Sequence, residues 1–141
     1  MSDERERLSV LCVDDNADVI EALRLLFEGE GGCEWAGALF SADELVEVAR
    51  DRRPDIVLLD LDMSGRDPLE VVGELAVACP RVRVVILSNH VRRDLVNRAI
   101  TAGAWGYVAK ADGERAIVDA VRRAAQGEFV MSPEVRSCYA L

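Results

Sequence analysis

The chain has 141 residues, 50% of them apolar, which is the length of one domain and enough to bury about two-thirds of its unfolded surface around a single core. Seventeen basic residues against twenty-six acidic ones leave a net charge of −9, so neither nucleic-acid binding by this chain nor attachment to a membrane is expected. Aromatic residues make up only 5%, yet the positive mean hydropathy supplies the burial that disordered chains lack.

The first seven residues, Met-Ser-Asp-Glu-Arg-Glu-Arg, have no apolar signal core and read as a disordered arm. A first strand follows at residues 10–13, and Asn16 is placed to cap a helix with its apolar stripe at Ile20, Leu23 and Phe27. After a second strand at residues 34–39, Ser41-Ala-Asp-Glu44 has capping-box spacing ahead of a helix burying Leu45, Val48 and Ala49. The third strand, residues 56–59, leads to a helix with Pro68 in its first turn and an inner face of Leu69, Val72, Leu75 and Ala76. The fourth, residues 82–87, leads to a helix burying Leu95, Ala99 and Ile100 and stopped by Gly103. The fifth, residues 106–108, precedes a helix capped by Asp112, buried through Ile117, Val121 and Ala124, and stopped by Gly127. The domain is therefore expected at residues 8–127, with 128–141 a tail or the start of a linker.

Five strand–helix units in strict alternation imply an α/β fold, a parallel sheet with helices on both faces, because right-handed crossovers place them there. The longest aliphatic runs fall far short of the roughly 20 residues that span a bilayer. Cys12, Cys33, Cys79 and Cys138 form no Cys-x-x-Cys pair and His90 is the only histidine, so zinc spacing is absent and disulfides are not expected. A cytoplasmic location follows as the default.

In open parallel sheets ligands bind beyond the carboxyl ends of the strands. At those ends this chain places Asp14 and Asp15 after the first strand, Asp60 after the third, Ser88 after the fourth and Lys110 after the fifth. Two carboxylates about 4 Å apart repel by roughly 4 kcal/mol at an effective dielectric of about 20, so three in one pocket demand cations. Lys110 supplies one. Hard oxygen donors without His or Cys point to Mg²⁺ and to phosphoryl chemistry for the rest. Any one of these aspartates alone reads equally well as a helix cap or turn former; the joint placement favours the site.

The segments Val-Asp14-Asp15-Asn, Leu-Leu-Asp60-Leu-Asp-Met63, Ile-Leu-Ser88 and Gly-Tyr107-Val-Ala-Lys110 resemble the receiver (CheY-like) domain of two-component response regulators over about residues 8–127. The resemblance implies a (βα)5 doubly wound sheet with flavodoxin-like strand order 2-1-3-4-5. It implies Asp60 as phosphoacceptor and Asp14, Asp15, Asp60 and the Asp62 backbone carbonyl as the Mg²⁺ ligands. Ser88 and Lys110 would contact the phosphoryl group, with Ser88 and Tyr107 as the switch pair. The donor would be a sensor histidine kinase or a small acyl phosphate, with a homodimer as a further option, and the only catalysis would be of the chain's own phosphorylation and dephosphorylation. The readout is expected on the surface of the fourth helix, fifth strand and fifth helix, where Trp105 would adjoin Tyr107.

Three positions depart from the family pattern: Ser64 follows Met63 where proline is common, Pro68 replaces a common glycine, and Ala111 replaces the proline after Lys110. The stretch Gly127-Glu-Phe-Val-Met-Ser-Pro-Glu-Val resembles the connector that precedes a helix-turn-helix output. The expected role is thus the regulatory half of a transcriptional regulator, or a stand-alone receiver. Two competing readings remain. Asp60-Leu-Asp62 also matches the Asp-x-Asp of haloacid-dehalogenase-type phosphatases, although there the pair follows the first strand. A flavodoxin-like electron carrier shares the strand order but needs a phosphate-binding loop where Asp14-Asp15 would repel phosphate.

Overall fold

The computed structural model of the chain describes residues 7–139, so the arm expected at residues 1–7 lies, but for Arg7, outside the described residues. Six strands form one parallel sheet: β1 (Leu8–Val13), β2 (Cys33–Leu39), β3 (Ile56–Asp60), β4 (Arg83–Ser88), β5 (Gly106–Ala109) and β6 (Val130–Met131), in the order β2-β1-β3-β4-β5-β6. The helices are α1 (Ala17–Glu28), α2 (Leu45–Arg52), α3 (Pro68–Ala78), α4 (Arg93–Ala102), α5 (Glu114–Ala125) and α6 (Pro133–Ser137). The flavodoxin-like order 2-1-3-4-5 is therefore present and extended by one strand.

The sheet divides the core into two apolar layers. On one face α1 and α5 pack Ile20, Leu23, Phe27, Val118 and Val121 against Val10, Ile56, Leu58 and Val85. On the other, α2, α3 and α4 pack Leu45, Val72, Leu75, Val96 and Ala99 against Leu11, Val57, Leu59 and Ile86. The central strands are covered on both sides, and every residue of β3 is buried. The edge strand β2 differs. Its register slips between Val10 and Leu11, where Gly37 adopts φ +117°, a conformation open to glycine, and Arg52 donates to the Ala36 carbonyl at 2.9 Å.

Asn16 caps α1 by accepting from the amides of Asp18 and Val19. Other expected caps do not form. Glu44, not Ser41, occupies the α2 N-cap, and no side chain bonds that helix end; Ser41 accepts only from the Asp43 amide. Asp112 does not cap α5, because Gly113 at φ +87° takes the N-cap position; its carboxylate turns to the Glu134 amide at the start of α6. The α4 stripe is rotated from the expected one, burying Val96 and Ala99 while Ile100 stays 42% exposed. Ala76 is likewise exposed on α3.

The stretch after residue 127, expected as a tail or linker, contains β6 and α6. Val130 and Met131 extend the ladder of β5, and Val135 is fully buried in the same layer as Tyr107. Pro133 at the first turn of α6 gives the sequence signal for that helix. All four cysteines are free thiols. No helix among the described residues is long and apolar enough to cross a membrane.

Candidate functional site: an aspartate pocket at the strand ends

The register explains why three carboxylates meet. β1 lies between β2 and β3, the place where the strand order reverses, and Val13 pairs with Leu59, so Asp14 and Asp60 follow side by side. The carboxylates of Asp14, Asp15 and Asp60 offer oxygens that all lie within 4.8 Å of one another. Asp14 and Asp60 are buried, at 2% and 3% exposure, whereas Asp15 is exposed. The Lys110 ammonium reaches in from the end of β5, 3.2 Å from Asp14 Oδ2 and 3.5 Å from Asp60 Oδ1. Backbone amides add to this: Asn16 donates to the other Asp14 oxygen, Oδ1, at 2.9 Å, and Asp62 donates at 3.1 Å to the same Asp60 Oδ1 that faces Lys110.

Burial pushes the Asp60 carboxyl above the ordinary carboxylate value; the Asp14 charge adds to that push, and the Asp62 amide and the Lys110 ammonium oppose it without cancelling it. For Lys110 burial pulls the other way, but the two facing carboxylates outweigh it and hold the ammonium above its usual value. Three carboxylates against one ammonium leave the pocket short of positive charge. The donors are hard oxygens only, which suits a divalent cation of the Mg²⁺ type.

Ser88 ends β4 with no exposed surface, and its hydroxyl accepts from the His90 amide at 2.9 Å. Tyr107, 1% exposed, donates its hydroxyl to the His90 carbonyl at 2.6 Å. Ser88 pairs with Ala109 and Ile86 with Tyr107, so the two side chains stand on one face of the sheet and grip one residue of the β4–α4 loop. The Asp62 carboxylate is not part of the cluster of three; it faces His90 Nε2 at 3.4 Å. Reading the sequence alone missed this backbone role of His90, because main-chain hydrogen bonds leave no mark on residue type.

Trp105 does not adjoin Tyr107. It packs in the opposite layer, with α5, under the Arg83 guanidinium 4.6 Å from its ring centre. Alternation along a strand would give Trp105 the face of Tyr107, two residues on, but Trp105 precedes β5 and is not held to that alternation. Ser132 was also missed. It is 4% exposed, and its hydroxyl accepts from the Ala109 amide at 2.9 Å, next to Lys110.

Residues 10–122 match the family model described as the response regulator receiver domain. The chain belongs to that family. It is 31% identical over 128 residues to the response regulator protein VraR of Staphylococcus aureus, an alignment covering 91% of this chain and 61% of that one. The chain thus spans under two-thirds of the length of the curated relatives it matches. Among solved structures, a LuxR-family two-component response regulator from Aurantimonas sp. SI85-9A1 superposes with a TM-score of 0.90 at 28% identity, covering 95% of this receiver and 96% of that chain. The signal receiver domain of the response regulator NarL from Mycobacterium tuberculosis gives 0.82 at 27% identity, covering 87% and 99%. Membership in this family leaves the phosphatase and electron-carrier readings without support.

Proposed function

We propose that this receiver accepts a phosphoryl group on Asp60 from a sensor histidine kinase or a small acyl phosphate. Asp14, Asp15, Asp60 and the Asp62 backbone carbonyl would hold the Mg²⁺ that the reaction needs. The observation that carries the reading is the pocket itself: three carboxylates within 4.8 Å at the strand-order reversal, two of them facing a single ammonium.

A carboxylate oxygen of Asp60 attacks phosphorus while the bond from phosphorus to the leaving atom breaks, and the leaving group departs with that electron pair. Such transfers pass through a loose transition state, so the protein contributes mainly positioning and charge neutralisation. Lys110 is placed to take one equatorial oxygen, the Ser88 hydroxyl a second, and backbone amides following Asp60 complete the cradle. When bound, Mg²⁺ neutralises the charge that Lys110 leaves uncovered.

Readout follows from the His90 grip. A phosphoryl group that takes the Ser88 hydroxyl draws on the same loop that seats Tyr107, and a shift of a few kcal/mol between two packings suffices to exchange minor and major states. The surface of α4, β5 and α5 is the region so affected. Likeness to VraR and to LuxR-family regulators supports a role as the regulatory part of a cytoplasmic transcriptional regulator, with a stand-alone receiver or a homodimer as further forms. Intact mass after incubation with acetyl phosphate and Mg²⁺ tests the chemistry: the parent gains one phosphoryl group, and Asp60→Asn stays folded and unmodified. Equal modification of both overturns the assignment.

A further inference from the structure

The strongest unexplained feature is the segment from Val130 to Tyr139, which touches the loop that carries Lys110 and the loop that follows Ser88. At one end Ser132 continues from β6 along the edge of β5. Its amide donates to the Tyr107 carbonyl at 3.2 Å, and its buried hydroxyl accepts the Ala109 amide at 2.9 Å, one residue before Lys110. Beyond Lys110, the Asp112 carboxylate accepts from the Glu134 amide at 2.9 Å, so the Lys110 loop is tied down on both sides. At the other end the Tyr139 hydroxyl donates to Asn97 of α4 at 2.8 Å, and the Arg93 guanidinium lies 5.1 Å from the Tyr139 ring centre. Cys138 reaches the Val91 carbonyl, next to His90. Val135, with no exposed surface, pins the middle to the layer that holds Tyr107 and Val96.

We propose that residues 130–139 form a two-ended clasp on the aspartate pocket, with Ser132 the positioning residue that fixes the Lys110 backbone and Tyr139 a restraint on the β4–α4 side. This deepens the phosphoacceptor reading and rests on it. The two ends have opposite effects on an occupied pocket. The Ser132 end holds Lys110 where the phosphoryl group needs it, so it favours occupancy. The Tyr139 end holds α4 and the loop before it in the arrangement in which Tyr107 is bonded to the His90 carbonyl, so it opposes the repacking that an occupied pocket brings. By linkage, filling the pocket must then loosen the Tyr139 end by the same factor.

The test is calorimetric titration of the 141-residue chain with beryllofluoride and Mg²⁺. Ser132→Ala should bind about fivefold more weakly, the worth of one hydrogen bond, and Ser132→Thr should recover most of the loss because the hydroxyl remains. Tyr139→Phe should bind about twofold more tightly, as expected for one exposed hydrogen bond removed from the competing state. A purely structural role would lower the melting temperature of both variants without shifting their affinities in opposite directions. Hydrogen exchange on the parent gives a readout that needs no variant: the amides of residues 136–139 should exchange faster once beryllofluoride is bound. Affinities that move together or stay unchanged, or exchange that is unaltered in the loaded parent, overturn the clasp alone. A parent that fails to bind beryllofluoride overturns the phosphoacceptor reading and the clasp together.

Discussion

In the pocket, Lys110 faces Asp14 and Asp60 at 3.2 and 3.5 Å from side chains that are almost wholly buried. Across α5, Arg115 and Arg122 face Glu30 at 3.0 and 3.6 Å, with Arg115 in open solvent and Arg122 partly exposed. The distances are nearly the same. What differs is the medium: water and ions screen the surface cluster, whereas the pocket leaves its charges to one another and to two backbone amides. The surface cluster has one acid for two bases and needs nothing further. The pocket has three acids for one base, an imbalance that a bound cation would correct.

Lys110→Ala sharpens that contrast most. It leaves Asp14 and Asp60 without a cation, and breaking a buried pair by removing one partner costs about 3–5 kcal/mol, here reduced to about 2 kcal/mol because Lys110 itself is partly exposed. Urea unfolding without metal should show that loss, and Mg²⁺ should restore much of it. An unchanged midpoint in the apo variant means that Lys110 does not hold the two carboxylates in place.

The next effect concerns pH. Burial raises the Asp60 carboxyl, so the folded chain binds a proton more readily than the unfolded chain does, and apo stability falls as pH rises through that folded value, above the ordinary carboxylate range. Acidification back through the same window restores it. The Lys110 ammonium has the opposite sense: its stabilisation is present below its unfolded value and is lost only in strong alkali. Asp60→Asn should therefore be more stable than the parent at neutral pH without metal, and the slope just above the carboxylate range should flatten. Stability curves measured against pH for the two proteins check this, and parallel curves refute it.

The pocket was legible in the sequence because chemistry-bearing residues stood where apolar runs end: Asp14, Asp60, Ser88 and Lys110 each follow a strand core, and alternation of strands with helices sends those ends to one edge of the sheet. The five strands and the faces of α1 and α5 were legible for the same reason. Ile100 was misplaced because apolar residues three and four apart define two overlapping stripes, and packing against α3 and β5 selected the one through Val96 and Ala99. The clasp was not legible. Val130 and Met131 are too short a run to signal a strand, and the Ser132 hydroxyl serves a distant amide rather than its own helix end. Trp105 shows the limit of adjacency in sequence: two residues from Tyr107, it lies in the other layer.

Asp15 is the exposed member of the cluster, so its charge adds repulsion without having cost burial. Asp15→Asn should raise apo stability by about 0.5–1 kcal/mol, the scale of a like-charge contact near a surface, while weakening Mg²⁺ binding. Thermal melts with and without Mg²⁺ separate the two effects. A variant that is less stable without metal, yet gains as much from Mg²⁺ as the parent, would show that the cluster is not strained by its own charge.

The smallest effect belongs to the surface side of the comparison. Glu30 bonds Arg115 and lies near Arg122, which also donates to the Gly31 carbonyl, so the loop after α1 is tied to α5 by a backbone contact that does not need the carboxylate. Hydrogen bonding from Arg115 holds the Glu30 carboxyl below its usual value, which means that its contribution is present at neutral pH and disappears as pH falls through that lowered value. Glu30→Gln should therefore cost less than any change in the pocket, and the cost should shrink further as salt is added, since these charges sit within reach of counterions. The apo stability change of Lys110→Ala, by contrast, should resist monovalent salt, because Asp14 and Asp60 are buried and bulk counterions screen buried charges far less. Unfolding both variants at low and high ionic strength measures the difference directly. If the Glu30→Gln loss persists in high salt while the Lys110→Ala loss fades, the pocket is the better solvated of the two, and the contrast between them is reversed.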